Sequence, residues 1–153
     1  MSRWTIAAIT QAEAEEVAGW HYPGEYAFYD ADTIPEGLAE IVDPRLRGDG
    51  FFAARGPGGG LEGFIELKPR APGAVEIGLG LRPDLTGRGL GAAFTAAAIQ
   101  LAHDRGAERV TLAVAAFNLR AITVYERAGF VETGRHVRHI FGTDWEFIDM
   151  ELR

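Results

Sequence analysis

The run Val75-Glu76-Ile77-Gly78-Leu79-Gly80-Leu81-Arg82-Pro83-Asp84-Leu85-Thr86-Gly87-Arg88-Gly89-Leu90-Gly91 decides the fold. Val75, Ile77, Leu79 and Leu81 alternate with Glu76, Gly78, Gly80 and Arg82, the period of a strand with one apolar face. Pro83 fixes the strand's exit and removes a competing N–H donor. Gly87, Gly89 and Gly91, at every second position, let the backbone bend tightly and leave N–H groups unobstructed where a helix begins. That helix is predicted from Leu90 to Arg105, with Leu90, Phe94, Ala97 and Leu101 at helical spacing. Val110, Leu112 and Val114 alternate again in a second strand. A strand–helix–strand unit of this kind pairs its strands in parallel through a right-handed crossover.

Outward from that unit, the first half of the chain is punctuated and the second half runs in longer elements. All seven prolines lie at or before Pro83, and 20 of the 153 residues are glycine. A short strand is expected at Trp4–Ala8. Thr10 and Glu13 form a capping box for a helix reaching about Gly19. Trp20 to Asp30 is aromatic and irregular, and Pro35 to Val42 reads as a short helix. Phe51–Arg55 and Leu61–Lys68 read as strands joined by a turn over Gly56–Gly60. Downstream, Asn118–Ala128 is helical and Gly129 stands where a left-handed stop is favoured. Phe130–Val137 and His139–Leu152 are strand-like, broken at Gly142-Thr143-Asp144. The fold class is mixed α/β, antiparallel hairpins around one parallel pair, in a single domain spanning 1–153.

Composition removes several kinds of chemistry. With 15 basic against 22 acidic side chains the chain carries −7, which opposes broad binding to nucleic-acid phosphates. There is no cysteine, hence no disulfide scaffold, thiolate metal site or cysteine nucleophile. Ser2 is the only serine. His136 and His139 are an odd number of residues apart and point to opposite faces of a strand, so no metal site is expected. The longest apolar stretch, Leu90–Ile99, is half a membrane span, and a cytoplasmic, unanchored protein is the expectation.

The glycine turn is the strongest chemical signal. The unpaired donors and positive end of a helix start suit an anion such as a pyrophosphate. The turn has no Lys-Ser/Thr ending, which argues against nucleoside-triphosphate hydrolysis. Glycine at 78 and 80, on the face of Glu76, leaves the strand bare for the approach of a ligand or another backbone. Asn118 and Tyr125 are seven residues apart, with Ala121 between them on one helix face. They read either as ligand contacts or as a helix cap and a packed tyrosine.

Residues 81–94, LRPDLTGRGLGAAF, followed by residues 111–134, TLAVAAFNLRAITVYERAGFVETG, resemble the GNAT superfamily of acyl-coenzyme A-dependent N-acyltransferases. The resemblance rests on Gly89 and Gly91, on the pair Asn118 and Tyr125, and on Gly129-Phe130. Thr86 departs from it, standing where the superfamily places Arg or Gln. It implies a mostly antiparallel sheet with two splayed central parallel strands flanked by helices, and an acetyl-coenzyme A-dependent N-acetyltransferase. Pantetheine would pair with backbone between Gly78 and Leu81, at Leu79 and Leu81. The pyrophosphate would sit on Thr86, Gly87, Arg88, Gly89, Leu90 and Gly91, with Arg82, Arg88 or Arg127 meeting phosphates, and Asn118, Ala121 and Tyr125 would flank the cofactor.

Amide formation from a thioester requires a neutral amine, and an alkylamine with a pKa of about 10 is mostly protonated at neutral pH. Glu76 is the first candidate base and Glu66 the second. Tyr125 is the acid for the departing thiolate, by the position the resemblance gives it. Without cysteine, transfer runs directly in a ternary complex. Glu25, Tyr26, Tyr29 and Asp30 offer an aromatic and acidic wall for a small or peptide amine. Trp145 and Phe147, at alternate positions, suit core packing, a partner or a homodimer contact. A non-catalytic acyl-coenzyme A sensor of the same fold is the alternative function.

Overall fold

The computed structural model describes residues 2–30, 35–140 and 142–153, with the side chains of 35–37 left aside. Among them seven strands form one mixed sheet in the order β1-β2-β3-β4-β5-β7-β6. The strands are β1 (Thr5–Ala8), β2 (Phe51–Arg55), β3 (Leu61–Ala71), β4 (Ala74–Leu81), β5 (Arg109–Ala115), β6 (Phe130–Ile140) and β7 (Thr143–Leu152). The helices are α1 (Gln11–Ala18), α2 (Pro35–Val42), α3 (Pro44–Arg47), α4 (Gly91–Asp104) and α5 (Leu119–Ala128). None is long and apolar enough to cross a membrane. By packing, the chain divides into two compact units, Met1–Glu66 with Gly80–Thr86, and Leu67–Leu79 with Gly87–Arg153.

In the first unit β1, β2 and β3 pair antiparallel, with a bulge at Ala54/Arg55. Its core is Ile9, Ala14, Val17, Trp20, Ile41, Ala53 and Leu61, with Phe51 and Phe64 packed against it. The expected capping box is present. Thr10 Oγ1 accepts from the Glu13 N–H, and Glu13 Oε1 accepts from the Thr10 N–H at 3.0 Å. Glu13 also takes Arg55 Nε and Nη2, each at 2.7 Å, tying α1 to β2. One helix was not anticipated, α3. Its signal is Asp43-Pro44: Asp43 Oδ1 caps the Arg45 N–H and proline occupies the first turn.

In the second unit β4 and β5 pair in parallel, as the crossover requires. β5 pairs with β7, and β7 with β6, both antiparallel. Two details differ from expectation. The buried stripe of α4 is Phe94, Thr95, Ala98 and Ala102, displaced from the predicted Ala97 and Leu101. Thr95 is tolerated inside because its hydroxyl donates to Gly91 O at 2.8 Å. The last hairpin turns earlier than predicted, with Ile140 opposite Thr143, so His139 belongs to β6. Gly142, at φ +72°, supplies the left-handed step of that turn.

The Glu13–Arg55 bond has a pH signature. Hydrogen bonding from Arg55, supported by Thr10, holds the Glu13 carboxyl at about 2 against an ordinary 4.5. A carboxyl lowered by folding contributes stability that is complete above pH 4.5 and is lost as pH falls toward 2. Glu13→Gln is expected to lower stability at pH 7 by about 1 to 2 kcal/mol, the partly solvated pair giving less than its full displacement. Thermal melts across that acid range should show a shallower pH dependence in the variant.

Candidate active site

The parallel ladder is short. Ala74, Val75 and Glu76 register with Arg109, Val110 and Thr111, and pairing stops there although β4 and β5 both continue. Leu79 and Leu81, beyond that point, are half-buried. Glycine at position 80 has a packing reason: an added Cβ would lie 2.5 Å from the Phe64 ring. That position is therefore covered by an aromatic side chain rather than left bare for a ligand, as the alternation alone had suggested.

β4 leads into a single 3-10 turn, Pro83–Leu85, closed by Thr86. Both the N–H and the hydroxyl of Thr86 donate to Pro83 O, at 3.3 and 2.7 Å. Thr86 therefore shapes the turn, and the series of uncommitted amides begins one residue later than expected. None of the N–H groups from Gly87 to Ala93 has an acceptor among the described residues, and the first bond of α4 is Phe94 N–H to Leu90 O at 3.0 Å. Gly87 and Gly89 have φ of +74° and +79°, and Leu90 follows in right-handed geometry. Alternation of this kind gathers successive N–H groups into an anion-binding concavity.

Of the arginines considered for phosphates, Arg82 is engaged elsewhere, with Asp84 at 2.6 Å and Leu61 O at 3.0 Å. Arg88 is exposed within the loop, while Arg127 lies in the last turn of α5, away from Asn118. Arg120 was missed. Its Nη1 lies 3.6 Å from the position of a Cβ on Gly87, at the start of α5. No local sequence pattern signals that approach.

Asn118 caps α5, its Oδ1 accepting from Ala121 N–H at 3.2 Å. Ala121 is half-buried, and Tyr125 packs edge-on against Phe130 with ring centroids 6.0 Å apart. Glu76 is bridged by Arg70, with Nη2 at 3.2 Å and Nε at 3.3 Å. Glu66 is half-buried and registers with Phe51.

The aromatic segment is a 3-10 helix, Gly24–Tyr29. Glu25 and Tyr29 are exposed and Tyr26 is half-buried. Asp30 is turned to local use: Oδ1 accepts from Tyr22 N–H at 2.8 Å and Oδ2 from His21 Nδ1 at 2.9 Å. Tyr22, also overlooked in the sequence, donates its hydroxyl to Leu81 O at 2.8 Å. Burial, then the Asp30 charge, pushes the Tyr22 phenol well up, keeping it a neutral donor. Among the described residues no group of three or more His, Asp or Glu is arranged to hold a metal ion.

A parallel pair that parts after three residues, followed by a glycine turn presenting main-chain donors at a helix start, defines an α/β protein with its free backbone donors beside the strand ends, where α/β folds place ligands. The chain belongs to the Acetyltransferase (GNAT) family, whose model matches residues 10–130. The mycothiol acetyltransferase of Salinispora arenicola is 38% identical over 122 residues, covering 71% of this chain and 40% of that protein. That of Salinispora tropica is 40% identical over 125 residues, covering 73% and 41%. The match thus spans about two-fifths of the length of these relatives. In fold, the chain is similar to the spermidine N-acetyltransferase from Vibrio cholerae solved in complex with CoA and spermine. The TM-score is 0.79 at 18% identity, covering 98% of this chain and 95% of that one.

The left-handed backbone at Gly89 makes a direct test. Any L side chain there is strained, so Gly89→Ala is expected to weaken coenzyme A binding about tenfold by calorimetry. Gly91→Ala should weaken it less, because its Cβ meets Val124 at an ordinary 3.5 Å.

Proposed function

We propose that this chain transfers the acetyl group of acetyl-coenzyme A directly to a primary amine of a small molecule. The row of uncommitted amides from Gly87 to Gly91 carries the reading, since a diphosphate supplies the acceptors those donors lack. Arg88 and Arg120 would add positive charge, and Asn118 and Ala121 would border the cofactor from α5. Family membership and relatives named mycothiol acetyltransferase support the chemistry, and the acceptor class draws on the fold neighbour named spermidine N-acetyltransferase.

In this mechanism the thioester carbonyl lies near the end of the parallel ladder, where the Leu79 N–H would take the developing oxyanion. The amine attacks the carbonyl carbon, the C–S bond breaks, and Tyr125 donates a proton to the leaving sulfur. With no cysteine in the chain, no acyl-cysteine precedes attack. Glu76, both of whose oxygens are engaged by Arg70, is given no part in the proton transfer, and the ammonium proton of the acceptor passes to solvent. Glu25, Tyr26 and Tyr29 are proposed acceptor contacts, with Asp30 acting through the shape of its loop.

Thiol release from acetyl-coenzyme A, measured over a panel of primary amines, tests the reading. Turnover with at least one amine is expected, and Tyr125→Phe should lower kcat by about tenfold or more with little change in coenzyme A affinity. Coenzyme binding without turnover on any amine would identify a sensor and overturn the proposal.

A further inference from the structure

Three carboxylates share one face of β4, β5 and β7. Glu76 faces Thr111 across the last rung of the parallel ladder, Thr111 is opposite Glu151, and Ala113 is opposite Asp149. Strand alternation keeps Thr111, Ala113 and their partners on one side. Ala113 is the first position on that side of β5 beyond the end of the ladder.

The three carboxylates differ in their partners. Glu76 is bridged to Arg70 at 3.2 Å and Glu151 to Arg109 at 2.7 Å. Asp149 is held by a histidine, with His136 Nδ1 3.0 Å from Oδ2. Arg138 Nε donates to His136 Nε2 at 2.9 Å, so the imidazole proton sits on Nδ1 and is given to Asp149. No guanidinium touches the Asp149 carboxylate, in contrast to Glu76 and Glu151, and Arg138 reaches it only through the imidazole.

The same contacts leave Asp149 accessible. Its side chain is 41% exposed, and Oδ1 has no partner among the described residues. Its cross-strand neighbours are small: Ala113 on β5 and Gly134 on β6, where an added Cβ would lie 3.8 Å from Oδ2. His136 is fixed from its face as well, stacked on Phe147 at 5.5 Å beneath the reach of Arg138, which lies 4.3 Å over the same ring.

We infer that Asp149 binds the ammonium group of the acceptor through Oδ1, with His136 as its positioning residue. The inference rests on the acetyltransferase reading and adds a substrate class, a primary amine that arrives as a cation. The ammonium donates to Oδ1 and loses one proton to solvent. Its nitrogen lone pair then forms the C–N bond as the C–S electron pair leaves on sulfur. Tyr125 protonates the thiolate and is restored by the second proton of the amine nitrogen, so the products are amide, free thiol and one released proton.

Steady-state rates with acetyl-coenzyme A and spermidine, lysine or glucosamine as acceptor test the assignment. Asp149→Asn is expected to raise the acceptor KM about 10- to 100-fold, the worth of a hydrogen bond between charged groups, while the acetyl-coenzyme A KM holds. His136→Ala should raise it less, and His136→Asn, whose amide nitrogen stands near the place of Nδ1, should restore it. A wild-type acceptor KM in Asp149→Asn overturns the inference and leaves the acetyltransferase reading standing. An equal loss of acetyl-coenzyme A affinity overturns it too, by making Asp149 a structural residue. No transfer by the wild-type protein to any of the three amines overturns reading and inference together.

Discussion

The first turn of any α-helix presents N–H groups that its own backbone cannot satisfy, and that constraint organises this molecule. In α4 the orphan donors extend back through the glycine turn, because Gly87 and Gly89 adopt left-handed φ and aim successive amides together. Among the described residues no side chain takes up those donors. The Thr86 hydroxyl donates to Pro83 O and so holds the turn ahead of them. A loop with this many exposed donors, at the positive end of a 14-residue helix, is suited to an anion, which is the basis of the proposed cofactor site.

A second consequence follows from where β4 and β5 stop pairing. Their ladder ends at Glu76 and Thr111, so the main-chain groups of the following residues need other partners. Leu81 O accepts the Tyr22 hydroxyl, and the Arg82 N–H donates to Glu62 O. The anion loop and the parted strands are therefore consecutive in sequence, a single strand–turn–helix segment carrying both. That economy explains why one short stretch signals the fold and the cofactor together.

What the sequence made legible was local. Alternation at Val75–Leu81 and Val110–Val114 marks β4 and β5. The Thr10/Glu13 pair marks α1, and Gly129, at φ +108°, marks the end of α5. What it concealed depends on contacts between distant residues. Tyr22 and Leu81 are 59 positions apart, and neither belongs to a motif. Asp149 gains its meaning only from its register with Ala113 and from His136 on the next strand, neither of which a periodic pattern specifies. Glycine misled once: at Gly80 the missing side chain makes room for Phe64. Asn118 shows the reverse, since a residue picked out for chemistry also serves as the cap of its own helix.

The proposed function requires that main-chain amides at the head of α4 hold a diphosphate. Amide NMR of the isotopically labelled protein, titrated with coenzyme A, addresses it most directly. The signals of Gly87, Arg88, Gly89, Leu90 and Gly91 should move together and saturate with the binding isotherm. Saturable binding that leaves those five amides unmoved while others respond would contradict it.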